Sequence, residues 1–428
     1  MKINKQTTWI VIAMILGVVV GYGCNVLSGS PAAAKDIAGY FAMVTDIFLR
    51  LIKMIIAPLI FTTLVAGMAG MGDARTVGRI GGKALGWFLM ASLASLAIGL
   101  VFANLFQPGA NVGVALPDVS ASADLKTSSL NLKDFITHVF PRNIFEAMAN
   151  NEILQILVFS VFFGLALGSL KDTKARALIE VIEGAVPVML KVTDYVMRFA
   201  PLGVFTAVAN VVTVQGLGIL MVYGKFVGSF YATLVVLWAV LIGAGFLVLG
   251  KSVFRLVREV RQPMLVGFST ASSEAAYPRV MEKLEDFGVK ERVIGFVLPL
   301  GYSFNLDGSM IYTAFAALFI SQAYGLPLTL EQQIVMLLVL MVSSKGIAGV
   351  PRSALVVVAA VLPMFNLPEA GVLLIMGIDH FLDMGRTATN VLGNAIATTV
   401  VAKWENALEI PDEDEAEKRL RERLVAAE

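Results

Sequence analysis

Residues 379–394 read DHFLDMGRTATNVLGN, and they lie inside a run, 371–402, that is otherwise apolar and long enough to cross a bilayer. Asp379, Asp383, Arg386, Asn390 and Asn394 are spaced by 4, 3, 4 and 4. At about 100° per residue they form a stripe roughly 80° wide on one helix face. Leu382, Val391 and Leu392 stand between them and can pack on neighbouring helices. Ionisable side chains inside a span are costly and rarely face lipid. Three of them within residues 379–386 therefore call for mutual pairing or a ligand.

The rest of the chain fits a membrane setting. Its 428 residues are 57% hydrophobic and 15% charged, with a mean hydropathy of +0.79. A soluble domain carries about 25% charged residues. Apolar runs at 9–27, 40–71, 86–106, 145–170, 186–212, 219–249, 293–323 and 371–402 predict about eight membrane crossings in an all-α protein. Lys2 and Lys5 ahead of the first run have the outline of a signal peptide, but no small-residue cleavage motif follows, so the run is read as the first span. The formal net charge of +1 gives no case for nucleic acid. One cysteine, Cys24, excludes an internal disulfide, and His138 and His380 are too few for a histidine-rich metal site.

Two apolar segments differ from ordinary spans. Residues 263–280 contain Ser269-Thr270-Ala271-Ser272-Ser273-Glu274, and residues 334–365 are broken by Ser343-Ser344-Lys345-Gly346 and Gly349-Val350-Pro351. Such clusters break helices. Bare backbone at membrane depth survives only against protein or a wet cavity. Both segments are expected to be re-entrant helical hairpins with polar tips, a pairing that points to a transporter site. The basic clusters Arg75/Arg79/Lys83, Lys171/Lys174/Arg176 and Lys251/Arg255/Arg258/Arg261 place their loops, and both termini, in the cytoplasm. Residues 108–133 read as an external loop, and the mixed charge after Trp404 reads as a solvated cytoplasmic tail.

The polar residues suggest a ligand. Arg386 offers a planar fork that matches a carboxylate. Asp383 can accept from an ammonium group, and Asn390 can donate to a second carboxylate. A zwitterion with one extra carboxylate meets all three demands. The structural alternative is a self-neutralising Asp–Arg pair that locks the bundle. In 293–323, Asn305-Leu306-Asp307-Gly308-Ser309 predicts a locally unwound helix whose carbonyls and carboxylate suit a small cation, or else a kink satisfied by its own side chains. The hairpin tips add hydroxyls and backbone N–H groups suited to a carboxylate.

The sequence resembles the glutamate transporter family, the dicarboxylate/amino acid:cation symporters. The resemblance covers almost the whole chain and rests on STASSEAAYP (269–278), NLDGS (305–309), SSKGIAGVP (343–351) and DMGRTATNVLGN (383–394). It implies a homotrimer in a bacterial inner membrane, surrounded by lipid, working by an elevator motion with the outer hairpin as gate. It implies scaffold and trimerisation helices mostly within 1–250, with the third span joining the moving part. A core transport domain would span 251–405, and a tail 406–428. Arg386 would take the substrate side-chain carboxylate, Asp383 the amino group and Asn390 the α-carboxylate. Thr387, Ser272, Ser273, Ser309 and the backbone at Val350 would complete the pocket. Gly301, Ser303, Asn305, Asp307, Asn390, Asn394, Ser344 and Ile347 would surround cations.

Having both Asp383 and Arg386 points to glutamate or aspartate over a C4-dicarboxylate such as succinate. The sequence also departs from sodium-coupled relatives. Asn394 stands where they carry an aspartate, Phe88 and Ala91 where they carry a tyrosine and a threonine, with Ser92 kept. Fewer ligand charges weaken a cation site. Glu274 replaces a serine, and a carboxyl in a low-dielectric tip can carry a proton. Coupling to protons, alone or with sodium, is expected, and no bound cofactor. Glu274 could instead serve the hairpin, paired with Arg279 or at a helix N-terminus. An anionic substrate moving inward meets about 2.3 kcal/mol per charge per 100 mV, so at least two cations must accompany it for the potential to drive uptake.

Other classes fit less well. No GxSxG or HExxH motif is present, which argues against an enzyme. A C4-dicarboxylate symporter and an anion channel remain as alternatives.

Overall fold

Without water in the bilayer, backbone amides must bond within their own segment, and runs this apolar fold as helices. The computed structural model describes residues 5–71, 74–110, 116–117, 137, 139–170, 175–218, 223–344 and 353–411. Among them, regular structure is helical apart from one isolated bridge between Val289 and Leu408. The first helices are α1 (Lys5–Leu27), α2 (Pro31–Met71), α3 (Ala74–Phe106), α4 (Ile144–Ala149), α5 (Ile153–Ser169), α6 (Arg176–Met197), α7 (Ala200–Gln215) and α8 (Gly224–Leu249). Then come α9 (Ser252–Thr270), α10 (Ser273–Asp286), α11 (Glu291–Phe304), α12 (Asp307–Ala323), α13 (Leu330–Ser343), α14 (Ser353–Val361), α15 (Val372–Met376) and α16 (Asp379–Trp404).

Of the eight expected crossings, those at 9–27, 40–71 and 86–106, and the 224–249 part of that at 219–249, fall on single helices, α1, α2, α3 and α8, long and apolar enough to cross a membrane. The other four runs are interrupted. The run 145–170 divides at Asn150–Glu152, where Asn151 turns back with φ 54°. The run 186–212 bends by 49° between α6 and α7. Pro201 enters the first turn of α7, and its missing N–H cannot extend the α6 ladder. The run 293–323 breaks at Asn305–Leu306, and 371–402 becomes a short 3-10 turn, then α15, then α16.

The helices pack in two groups. In the first, α2 lies against α5, α6 and α7, and α7 against α1. In the second, α16 is enclosed by α8, α9, α10, α11, α12 and α3. The groups meet where α11 and α10 lie on α2, and α9 on α7. Small residues make this seam close: a Cβ on Gly295 would press on the Thr63 carbonyl, and one on Gly67 on the Arg292 backbone. The stripe of 379–394 thus lies among helices of this group, with Asp383 and Arg386 partly open.

A strap beyond α16 closes one end of the second group. Glu409 N–H donates to Gly288 O (2.9 Å) and Lys290 N–H to Ala407 O (3.0 Å). Gly288 has φ +101°, and the Glu409 carbonyl fills the place a Cβ would take, so no other residue fits there. Arg255 of α9 donates to Pro411 O (2.7 Å). Arg79 and Lys83 of α3 clamp Glu405 at 2.8 and 2.6 Å.

Candidate functional site

The helix break at 305–306 creates the site's polar floor. Asn305 (φ −105°, ψ 71°) and Leu306 (φ −105°, ψ 58°) leave helical geometry, so α12 starts afresh at Asp307. A new helix start has N–H groups without intrahelical partners. Asn390 of α16 supplies one partner: its Oδ1 accepts from Gly308 N–H at 2.8 Å. Asn390 Nδ2 in turn donates to Ser309 Oγ at 3.2 Å. The side chain of α16 therefore caps α12 across space and ties two sequence motifs together.

One and two turns up the stripe from Asn390, Arg386 and Asp383 pair. Arg386 Nε and Nη2 lie 2.9 and 2.6 Å from Asp383 Oδ1, which also accepts from Thr387 Oγ1 at 3.0 Å. The pair is partly open, with side chains 13% and 15% exposed, while Thr387 is fully buried. The Asp–Arg pair that the spacing allowed is thus formed. Asp379 completes the stripe. Its Oδ1 accepts a 2.5 Å hydrogen bond from the buried Tyr312 hydroxyl of α12.

Further along, Asn394 meets the other side of the break. Asn394 Nδ2 donates to Asn305 O at 3.4 Å. Gly301 lies so close that a Cβ there would collide with Asn394 Oδ1, and one on Gly393 would collide with Asp307 Oδ2. The Gly301 carbonyl accepts Asn305 N–H at 2.7 Å. Asn305, Asp307, Ser303 and Asn394 are buried. Asn305 Oδ1 and Nδ2 and Asn394 Oδ1 have no hydrogen-bond partner among the described residues. Burying such atoms unpaired costs about 1–3 kcal/mol each, which makes this polar cluster a candidate ligand site. Phe88 of α3 reaches the same place, its Cζ 3.4 Å from where a Gly301 Cβ would stand. One turn on, the buried Ser92 Oγ has no partner among the described residues. The third span is therefore at the cluster, and Phe88 presents it with an aromatic ring.

The turn between α9 and α10 adjoins the stripe. α9 and α10 pack on one another and on α16, joined at Ala271 in a left-handed conformation (φ 49°). Ser272 Oγ accepts Ala275 N–H at 3.3 Å as the cap of α10, and Ser273 opens that helix. Gly267 gives α9 its close approach, with Thr387 Cγ2 3.2 Å from the Cβ position. Glu274 sits in the first turn of α10, beside Lys53 of α2 at 3.7 Å, and Arg279 pairs elsewhere. The suggested Glu274–Arg279 pair is thus not formed. Ser344 ends α13 with its hydroxyl on Met341 O (2.8 Å). Ile347 and Val350 lie outside the described residues.

Several partners were not visible in the sequence. Tyr312 on Asp379, Trp238 Nε1 on Thr389 Oγ1 (2.8 Å) and Tyr231 OH on Phe381 O (2.6 Å) hold α16 from α12 and α8. Each joins residues distant in the chain, and none belongs to a local motif.

The sodium:dicarboxylate symporter family model matches residues 7–404, a span that includes every element of this site. The chain belongs to that family. Among its relatives, a protein named proton/sodium-glutamate symport protein from Geobacillus stearothermophilus is 39% identical, covering 92% of this chain and 93% of its own. A proton/glutamate-aspartate symporter from Escherichia coli is 41% identical over 95% and 94%. A C4-dicarboxylate transport protein from Laribacter hongkongensis is 40% identical over 94% and 89%. Within the sodium:dicarboxylate symporter family, the site of this chain is thus a buried, oxygen-rich floor beneath a partly open Arg–Asp pair.

Proposed function

We propose that the protein is a secondary active symporter that imports an acidic amino acid, glutamate or aspartate, with protons, sodium or both. The observation that carries this reading is the partly open Arg386–Asp383 pair above Asn390. A dicarboxylate with an ammonium group can take over both partners at once. Its side-chain carboxylate replaces Asp383 on the Arg386 fork, and its ammonium engages the released Asp383. Asn390, Thr387, Ser309, Ser272, Ser273 and the Val350 backbone would complete the pocket. The names of the relatives at 39% and 41% identity agree with this substrate class.

The buried oxygens of Asn305, Asp307 and Asn394, with the Gly301 carbonyl, Ser303, Asn390, Ser344 and Ile347, are proposed to hold the co-transported cation. Only one carboxylate lies among them, and Phe88 stands beside Gly301. Such a set suits weaker sodium binding and leaves room for a proton, carried in this reading by Glu274.

We further read the second helix group as the moving unit of an elevator. It includes α8, which packs on α16 and α3, as well as the segments from α9 onward. The helix pairs α9/α10 and α13/α14 would be the re-entrant hairpins, the latter the outer gate. The first group would be the scaffold of a homotrimer in a bacterial inner membrane, with both termini cytoplasmic.

A C4-dicarboxylate symporter is the second reading, favoured by the relative named for that activity. Inhibition of labelled glutamate uptake in proteoliposomes by aspartate, succinate and serine separates the two. Aspartate is expected to compete best and serine least. Succinate outcompeting glutamate would reverse the assignment of Asp383.

A further inference from the structure

Charges occur on both sides of the seam between the two helix groups, and they are paired across it. Lys53 lies in an apolar stretch of α2, with its Nζ 3.7 Å from Glu274 Oε2 on α10. Asp194 of α6 has its Oδ1 2.9 Å from Arg279 Nη1, also on α10. Arg279 is buried, and its own helix supplies a second partner in Glu282. Ionisable groups at membrane depth are retained for a purpose and a partner.

The polarity of the two pairs alternates. On α10 a negative residue is followed five positions later by a positive one, about 7.5 Å along the helix. On the facing wall, a cation from α2 meets the first and an anion from α6 meets the second. Five residues also turn the helix by about 140°, so the two pairs hold different sides of α10, and both must break before it leaves the wall. Buried apolar residues make up much of the rest of the seam. α11 lies on α2 through Gly67 and Gly295, and a small recess of ≈ 10 Å³ lined by Thr63, Val186, Leu190, Met281, Ile294 and two further acidic residues, Glu285 and Glu291, opens along it.

We propose that Lys53 and Asp194 are positioning residues for the transport stroke. They register the α10 arm on the α2/α6 wall, and release of their two ion pairs limits departure from this conformation. The proposal rests on the elevator reading above. Neither residue touches the Arg386–Asp383 pair or the oxygen cluster, so substrate affinity is expected to stay unchanged; because Lys53 touches Glu274, the proton carrier of the proposed function, D194N is the variant that isolates the positioning role. The pairs are partly exposed, with Lys53 at 50% and Asp194 at 42%, which limits each to a modest effect.

The test is uptake of labelled glutamate by proteoliposomes under a saturating gradient, measured for K53Q, D194N and their conservative counterparts K53R and D194E. Each neutral variant is expected to raise the maximal rate about two- to fivefold with KM unchanged, as fits partly exposed ion pairs. The conservative variants should return the rate to that of the parent. Unchanged maximal rates, or a changed KM, would overturn the proposal. A separate arm tests the motion itself. In a C24S background, D194C/R279C joined by a short reversible cross-linker should stop uptake until reduction. Uptake that continues through cross-linking contradicts the elevator reading. Arrest by the cross-link with unchanged rates in K53Q and D194N leaves that reading intact and removes the role given to Lys53 and Asp194.

Discussion

Asp383 and Arg386 carry opposite predictions for the substrate. Replacing Asp383 by Asn removes the acceptor for an ammonium group and leaves the carboxylate fork. D383N is expected to lose glutamate and aspartate uptake by at least about tenfold, the equivalent of about 1.4 kcal/mol, while succinate binding persists or improves. Loss of glutamate and succinate together would place Asp383 in the fold rather than the pocket. R386C should lose acidic substrates and admit neutral ones, read by serine uptake; unchanged glutamate affinity would end the carboxylate-fork assignment. N394D restores a carboxylate beside Gly301 and Asn305, and its sodium dependence should shift to lower sodium concentration. The stripe itself was legible in the sequence, because its period matches one helix face. The Arg386–Asp383 contact was legible too, since residues three apart meet on a helix. Tyr312, Trp238 and Lys53 were not legible. They come from other helices, and no spacing rule relates them to 379–394.

At the scale of elements, the break at 305–306 is set by its own residues and by its neighbour. Asn, Asp and Gly favour leaving the helix, and Asn390 then caps the restarted α12. The interruptions at 150–152 and between α6 and α7 were harder to see, because an apolar run reads as one span until a turn residue or a proline is weighed. The strap beyond α16 was hidden by its mixed charge, which looked like a solvated tail. Its geometry yields a pH prediction. Hydrogen bonding from Arg79, with Lys83 beside it, holds the Glu405 carboxyl below its usual range. A carboxylate lowered in the folded state adds stability above its unfolded value of about 4.3, and that stability disappears as pH falls through the folded value. E405Q should therefore melt below the parent at pH 7, with the gap closing on acidification below about pH 4. A gap independent of pH would show that Glu405 acts through packing alone.

At the scale of the whole molecule, two helix groups meet along a seam of glycines, a small recess and crossed ion pairs. The polar floor, the Arg–Asp pair and the turn between α9 and α10 all belong to one group, so in the proposed elevator a substrate and its cations would move together with that group. Moving an acidic amino acid inward against a negative interior costs about 2.3 kcal/mol per charge per 100 mV, and the ion gradient must supply the work. The decisive measurement is uptake of labelled glutamate into proteoliposomes with proton and sodium gradients imposed one at a time and together, at fixed membrane potential. Concentrative uptake that follows a cation gradient, responds to the proton gradient and collapses when the gradients are dissipated is the predicted result. Glutamate that only equilibrates, whatever gradient is imposed, would contradict symport.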